Sequence, residues 1–174
     1  MRLGRLFRHV TASHWQTRRR FPPAALDAIE AAVARAERTH AGEIRFVIET
    51  GLSPRHIIDG LTPRARAEEA FAHFRVWDTE LNNGVLVYVQ LADRAVEILA
   101  DRGLEERVRP SEWEAVCRLM EEHFRAGRFQ AGAIAGIDAV GTLLARHFPA
   151  PGIDGRSAAR AAGANQLPDR PTLL

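Results

Sequence analysis

The sequence predicts an α/β chain. It should form a three-layer α/β/α sandwich with a small mixed sheet and about four flanking helices. Three observations carry this. Glu43–Glu49 alternates apolar and charged residues as a strand does. Val85–Leu91 and Val96–Ala100 alternate around a short polar turn, the pattern of a β-hairpin. The residues between Glu49 and Val85 carry a helical stripe, so the first two strands are joined by a crossover helix. That gives a βαβ unit, right-handed by the usual rule, with the hairpin strand added antiparallel.

Taken in order, residues 1–20 read as a basic amphipathic arm. Leu3, Leu6, Phe7 and Val10 recur at helical spacing with Arg2, Arg5 and Arg8 between them. Such an arm can lie on an anionic membrane surface or meet a protein partner. It can equally pack its apolar side on the domain and solvate its arginines. The second arrangement is favoured, because the apolar face is only about two turns long. Arg18-Arg19-Arg20 reads as a solvated linker.

Residues 21–149 form the domain. Pro22-Pro23 pre-sets a helix start. Leu26, Ile29, Val33 and Ala36 continue it to about Thr39, and Gly42 closes it. In the first strand Ile44, Phe46 and Ile48 face the core, while Glu43, Arg45 and Glu49 point to a face that is only partly covered. Gly51 to Gly60 reads as a loop. Thr62-Pro63 caps the next helix, whose stripe of Ala67, Ala70, Phe71 and Phe74 runs into Trp77.

The hairpin register follows if Asp93-Arg94 are its two turn residues. Val96 then opposes Leu91, Ile98 opposes Val89, Asp101 opposes Leu86 and Gly103 opposes Gly84. Ser111-Glu112-Trp113-Glu114, after Pro110, matches a capping box. The helix it starts carries Trp113, Val116, Cys117, Met120 and Phe124 on one face and ends near Gly127. A last helix begins near Phe129, presents Ile134, Ile137, Gly141, Leu144 and Phe148, and stops at Pro149. Gly132 and Gly136 on it allow another element to come close. Residues 150–174 show no periodicity and read as a disordered tail.

Composition excludes several functions. All 24 basic residues are Arg, so no Lys Schiff base or Walker-type lysine is available. Residues 1–20 hold six Arg and no acid, whereas residues 21–150 hold 15 Arg against 20 Asp and Glu. The body is therefore mildly acidic, and nucleic acid is not an expected partner. The single Cys117 forbids an internal disulfide and sits on an apolar stripe, where a thiol behaves as a small buried hydrophobe. The serines lack a triad context, and His73 and His123 read as surface residues. Trp15 and Trp113 fit either core or interface roles. No apolar run approaches the ~18–20 residues of a membrane span, and a cytoplasmic location is the expectation.

One end of the hairpin collects oxygen donors. The loop Asp78–Asn83 brings Asp78, Glu80, Asn82 and Asn83, and the register carries Asp101 to the same end. Carboxylate and amide oxygens gathered in this way suit a hard cation such as Ca²⁺ or Mg²⁺. The alternative is a plain turn, since Asn and Gly tolerate positive φ. Arg102 at the same end could contact a phosphate.

These residues also resemble a known family. Asn82-Asn83-Gly84-Val85-Leu86-Val87-Tyr88-Val89, then Asp93-Arg94, then Val96-Glu97-Ile98 with Asp101-Arg102-Gly103-Leu104-Glu105, are similar to the TPM domain, as are Phe124–Gly132 and Glu43-Ile44. The likeness spans roughly residues 22–148. It implies a Rossmann-type sandwich. It further implies one of three activities known among members: acid phosphatase, calcium binding, or modulation of other proteins at a membrane. Carried over, Asp78, Glu80, Asn82, Asn83 and Asp101 are the expected cation positions. Many members have Asp-Asn-Gly where this chain has Asn82-Asn83-Gly84, which removes a carboxylate and weakens such a site. Two expectations follow: an interaction or regulatory domain holding a divalent cation, or a metal-dependent hydrolase of phosphate esters.

Overall fold

The computed structural model describes residues 2–149 and 165–174. The arm comprises α1 (Arg2–Thr11) and α2 (His14–Arg20). Then come α3 (Pro23–Glu37), β1 (Glu43–Glu49), α4 (Pro54–Ile58), α5 (Pro63–His73), β2 (Gly84–Gln90) and β3 (Ala95–Ala100). After these follow α6 (Arg102–Glu105), α7 (Pro110–Arg125), α8 (Phe129–His147) and β4 (Thr172–Leu173). The sheet runs β3-β2-β1-β4, with β1 parallel to β2 and β4 and with β2 antiparallel to β3. The α/β sandwich expected from the alternation is the one observed.

Period-two burial divides the core between the two sheet faces. Ile44, Phe46, Ile48, Val85, Val87, Val89, Val96 and Ile98 lie with the buried stripes of α3, α7 and α8. Val47, Leu86, Tyr88 and Leu99 lie with Ala67 and Ala70 of α5. The second face is better covered than expected, since Arg45 and Glu49 are both buried. Arg66 of α5 pairs with Glu49 at 2.9 Å, and Tyr88 donates its hydroxyl hydrogen to the same carboxylate. Arg45 donates to the Pro168 and Arg170 carbonyls and to Thr172, and its guanidinium lies over Phe74.

Those contacts correct the reading of the tail. Residues 165–174 are ordered against the sheet: Leu167 is buried, and Leu174 donates to Ile48 and accepts from Thr50. Pro and Asp mask the strand in the sequence, and two residues of pairing leave no alternation to read. Positions 150–164, where the same reading placed disorder, lie outside the described residues.

Other departures are local. The hairpin register is slipped by two residues: Val89 opposes Val96, Val87 opposes Ile98 and Val85 opposes Ala100. A shift of two keeps every apolar side chain on its face, so alternation could not detect it. The connection is four residues long, with Arg94 at φ 57°, instead of the two-residue turn. Gln90 Oε1 accepts the Asp93 N–H within it at 2.7 Å. The Gly51–Gly60 loop contains α4, capped by Ser53. Helix α5 ends at His73, short of Trp77, because Arg75 turns to φ 52°. The cap of α7 is Arg109 with Pro110 at the first helical position; Glu112 takes the Arg109 N–H, so Ser111 is not the cap.

Gly132 and Gly136 do permit the close approach that their spacing suggests. A Cβ on Gly132 would stand 2.7 Å from that of His123, and one on Gly136 would overlap the Met120 side chain.

The arm is the largest surprise. Its polar side, not its apolar side, faces the domain. Arg5 and His9 of α1 reach Asp93, while Leu3, Phe7 and Val10 are 83%, 70% and 61% exposed.

Candidate functional site

The loop between α5 and β2 lies at the open end of the hairpin. Asp78 and Glu80 are exposed, and the Glu80 N–H is held by Gln166 Oε1 at 2.9 Å. Asn82 takes φ 51°, a conformation that asparagine tolerates. Its Oδ1 accepts from Arg102 Nε at 2.9 Å, and its carbonyl accepts the Gly103 N–H. Asn83 is buried; its N–H is held by Thr79 and its side-chain amide donates to the Ala41 carbonyl at 2.7 Å. The second asparagine is therefore a strut between this loop and the α3–β1 turn.

Asp101 caps α6. Its Oδ1 accepts the Arg102 N–H at 2.7 Å, and its own N–H donates to Gly84. Its Oδ2 is buried with no hydrogen-bond partner. The slipped register sets Asp101 beside Gly84, directly at the loop. Sequence reasoning thus brought Asn82, Asn83, Asp101 and Arg102 to the correct end of the hairpin.

The residues fit a hard cation only in part. Such an ion takes six or more oxygens. Asp101 Oδ2 is a free buried donor, but Asn82 Oδ1 is engaged by an arginine whose charge opposes a cation. Among the described residues, no group of three or more His, Cys, Asp or Glu side chains is placed to hold a metal ion.

A groove of about 510 Å³ runs between β3 and α7, with Trp113, Cys117, Glu97 and Glu121 along it. Burial, with Glu97 and Glu121 adding to it, pushes the Cys117 thiol up to about 12. A thiol in that state is not a nucleophile at neutral pH; Cys117 packs on the core as expected, but only partly buried. Trp113 packs partly buried on the core, while Trp15 is 67% exposed.

The opposite end of the hairpin was missed. Asp93 in the connection receives Arg5 through Nη2 at 2.7 Å and Nε at 3.0 Å, with His9 Nε2 at 3.0 Å. Burial works against its charge, but Arg5 and His9 outweigh that and hold its carboxyl below the usual range. His9 Nδ1 accepts the Leu52 N–H at 2.8 Å, which fixes the tautomer with its hydrogen on Nε2. Gly51 lets the arm sit close: a Cβ there would stand 3.2 Å from the His9 carbonyl. The signal in the sequence is Arg5 and His9 at i and i+4 on one helical face, where the arginine alone is read as solvated. Among the described residues, the exposed large apolar side chains are Leu3, Phe7, Val10 and Trp15 on the arm, Ile58 on neighbouring α4, and Trp77 and Leu81 on the cation-candidate loop. No helix among the described residues is long and apolar enough to cross a membrane.

With this geometry in place, comparison with known proteins locates the chain. The family model of the TPM domain matches residues 18–143. The NMR structure of the BA42 protein from the psychrophilic bacterium Bizionia argentinensis superposes with a TM-score of 0.71 at 26% identity, covering 87% of this chain and 93% of that one. The solution structure of the N-terminal domain of a P. gingivalis protein gives a TM-score of 0.53 at 24% identity, covering 72% and 79%, a likeness of fold alone. No curated protein matches the chain.

Proposed function

The chain belongs to the TPM domain family, and on that premise we propose that it is an interaction domain held on an anionic membrane surface by its N-terminal arm. One observation supports this above the others: α1 spends its polar side on Asp93 and leaves Leu3, Phe7 and Val10 in water. A helix that only had to cover its own domain would turn the other way, since burying a Leu, Phe or Val side chain gains roughly 1.5–3 kcal/mol. Arg18, Arg19 and Arg20 on the following helix α2 are all exposed, and residues 1–20 carry no acid. An apolar stripe accompanied by cations suits the boundary of an anionic leaflet. A cytoplasmic location is part of this reading.

The test pairs sedimentation with melting. The full chain should pellet with phosphatidylglycerol-containing vesicles and not with phosphatidylcholine alone. The Phe7→Ser/Val10→Ser chain should stay in the supernatant with an unchanged Tm. A parent chain that ignores both vesicles would overturn the membrane role and leave a protein partner. A fall in Tm would mean that the stripe is packed in solution.

A divalent cation, Ca²⁺ before Mg²⁺, at the α5–β2 loop is a second reading. It is favoured by the unpartnered Asp101 Oδ2. Asp78, Glu80, Asn82 and Asn83 would supply the remaining oxygens, and Arg102 would have to release Asn82. Millimolar Ca²⁺ should then raise the Tm, Asp101→Asn should remove the rise, and Arg102→Gln should enlarge it. The hydrolase alternative would use the same loop with Arg102 on the phosphate; metal-dependent turnover of a phosphate monoester, lost in Asp101→Asn, would favour it instead.

A further inference from the structure

We propose that the cleft between the arm and the β2–β3 connection is a binding site for a tetrahedral oxyanion of the phosphate monoester type. The cleft has a volume of about 180 Å³ and is open to solvent. Three arginines line it, Arg8 from α1, Arg20 from α2 and Arg94 from the hairpin connection, together with Ser13 and Gln16. Among the described residues, no acidic one lines it.

The charges are available. Asp93, between Ala92 and Arg94 in the connection, is already met by Arg5 and His9. Arg8 contacts that carboxylate only at 3.5 Å and gives its Nε to the Ala92 carbonyl. Among the described residues, neither Arg20 nor Arg94 has an acidic partner. Arg20 lies 5.2 Å over the Phe129 ring, which fixes its guanidinium plane at the cleft edge. Ser13 Oγ accepts the Trp15 N–H, so its own hydrogen is left to donate.

Arg94 carries the argument furthest. It adopts φ 57°, where glycine or asparagine is the easy choice. Holding arginine there carries a backbone cost that glycine would not. Here the side chain is a cation that lines the cleft.

Size fits the ligand. Pockets for drug-sized molecules run to about 300–1,000 Å³; this open cleft, at about 180 Å³, has room for a phosphate group. Guanidinium groups suit the planar, bidentate hydrogen bonding that phosphate oxygens offer. The phosphate can belong to a lipid headgroup or to a soluble ester. The site does not depend on the membrane reading, because the apolar stripe of α1 takes no part in it.

The experiment follows the Tm of the full chain with inorganic phosphate against chloride at equal ionic strength. Phosphate should raise it. Arg20→Gln should weaken the midpoint at least about tenfold. Arg94→Gly should do the same while keeping or raising the Tm without phosphate, since glycine relieves the backbone, so loss of binding cannot be blamed on unfolding. Phe7→Ser/Val10→Ser should leave the phosphate response intact even where vesicle binding is lost, which separates this site from the membrane reading. Vesicles containing phosphatidic acid then identify the source. Recruitment that needs Arg94 assigns a lipid headgroup, and a phosphate response without recruitment assigns a soluble ester. Overturning results would be no rise in Tm with phosphate, or an equal rise in the parent and in both arginine variants.

Discussion

Arg5 meets Asp93 side-on across 88 residues of sequence, with Nη2 2.7 Å and Nε 3.0 Å from the carboxylate. This pair, with His9, fastens the arm to the hairpin. The Asp93 side chain is only 9% exposed and that of Arg5 21%, so solvent screens the pair weakly. Asp93→Ala removes the acceptor and leaves the Arg5 guanidinium and the His9 ring without it. It should cost about 2–3 kcal/mol, read as a lower urea midpoint. Limited trypsin digestion should then cut at Arg18–Arg20 before the body. An arm that stays protected in that variant would mean that the packing of α1 beside α4 holds it instead.

The α7–α8 contact makes opposite demands on glycines. Gly136→Ala gains up to about 1 kcal/mol of helix propensity, yet its methyl would overlap Met120, itself fully buried. Overpacking of this kind costs about 1–3 kcal/mol, so a net loss is expected. A methyl added at Gly4 on α1 would have nothing within 4 Å. Gly4→Ala should therefore only gain, visible as slower hydrogen exchange in the arm. Stabilisation by Gly136→Ala would show that the two helices are less tightly seated.

Much of the domain was legible because strands and helices leave periodic traces in the sequence. Ile44, Phe46 and Ile48, or Ile137 and Leu144, can be assigned to a core from spacing alone. What stayed hidden lacks a period. The pairing of Thr172 with Val47 is two residues long, and a two-residue register slip preserves every apolar position. The orientation of α1 was hidden for another reason. Amphipathicity says that a helix has two faces, and only the buried acceptor Asp93 decides which one docks. At the loop, spacing located Asn82 and Asp101 but could not foresee that Arg102 would occupy the Asn82 oxygen.

The buried Glu49 joins two donors, Arg66 and Tyr88. Tyr88→Phe leaves the carboxylate paired with Arg66, so the loss should be modest, about 1–2 kcal/mol. Glu49→Ala leaves a buried hydroxyl and a guanidinium without their acceptor and should cost about 3 kcal/mol or more. Urea unfolding of the two variants and the double variant measures the coupling. Equal single losses would mean that the phenol, not the arginine, holds α5 to the sheet.

The α3–β1 turn sets a pH dependence that two residues drive in opposite directions. Burial, helped by Glu43 and Asp169 and opposed by the Ile44 N–H, pushes Glu37 up to about 8. Its unfolded value is near 4.5. The folded state therefore keeps a proton that the unfolded state has lost, and stability falls as pH rises from about 4.5 to about 8. Burial lowers His40 to about 4 from 6.5, against the effect of the Gly42 carbonyl on its Nδ1. That contribution is present above 6.5 and is lost as pH falls toward 4. Between about 4.5 and 6.5 the two slopes oppose each other; from 6.5 to 8 only that of Glu37 remains. The parent chain should lose stability over that upper window, on the order of 1 kcal/mol per pH unit. Glu37→Gln keeps an acceptor for the Ile44 N–H, held at 2.9 Å, and has no proton to lose. Its urea midpoint should be nearly level from pH 6.5 to 8, with a residual slope from Glu43, whose carboxyl burial also raises. Parallel slopes in the two chains would place the titrating group elsewhere in the domain.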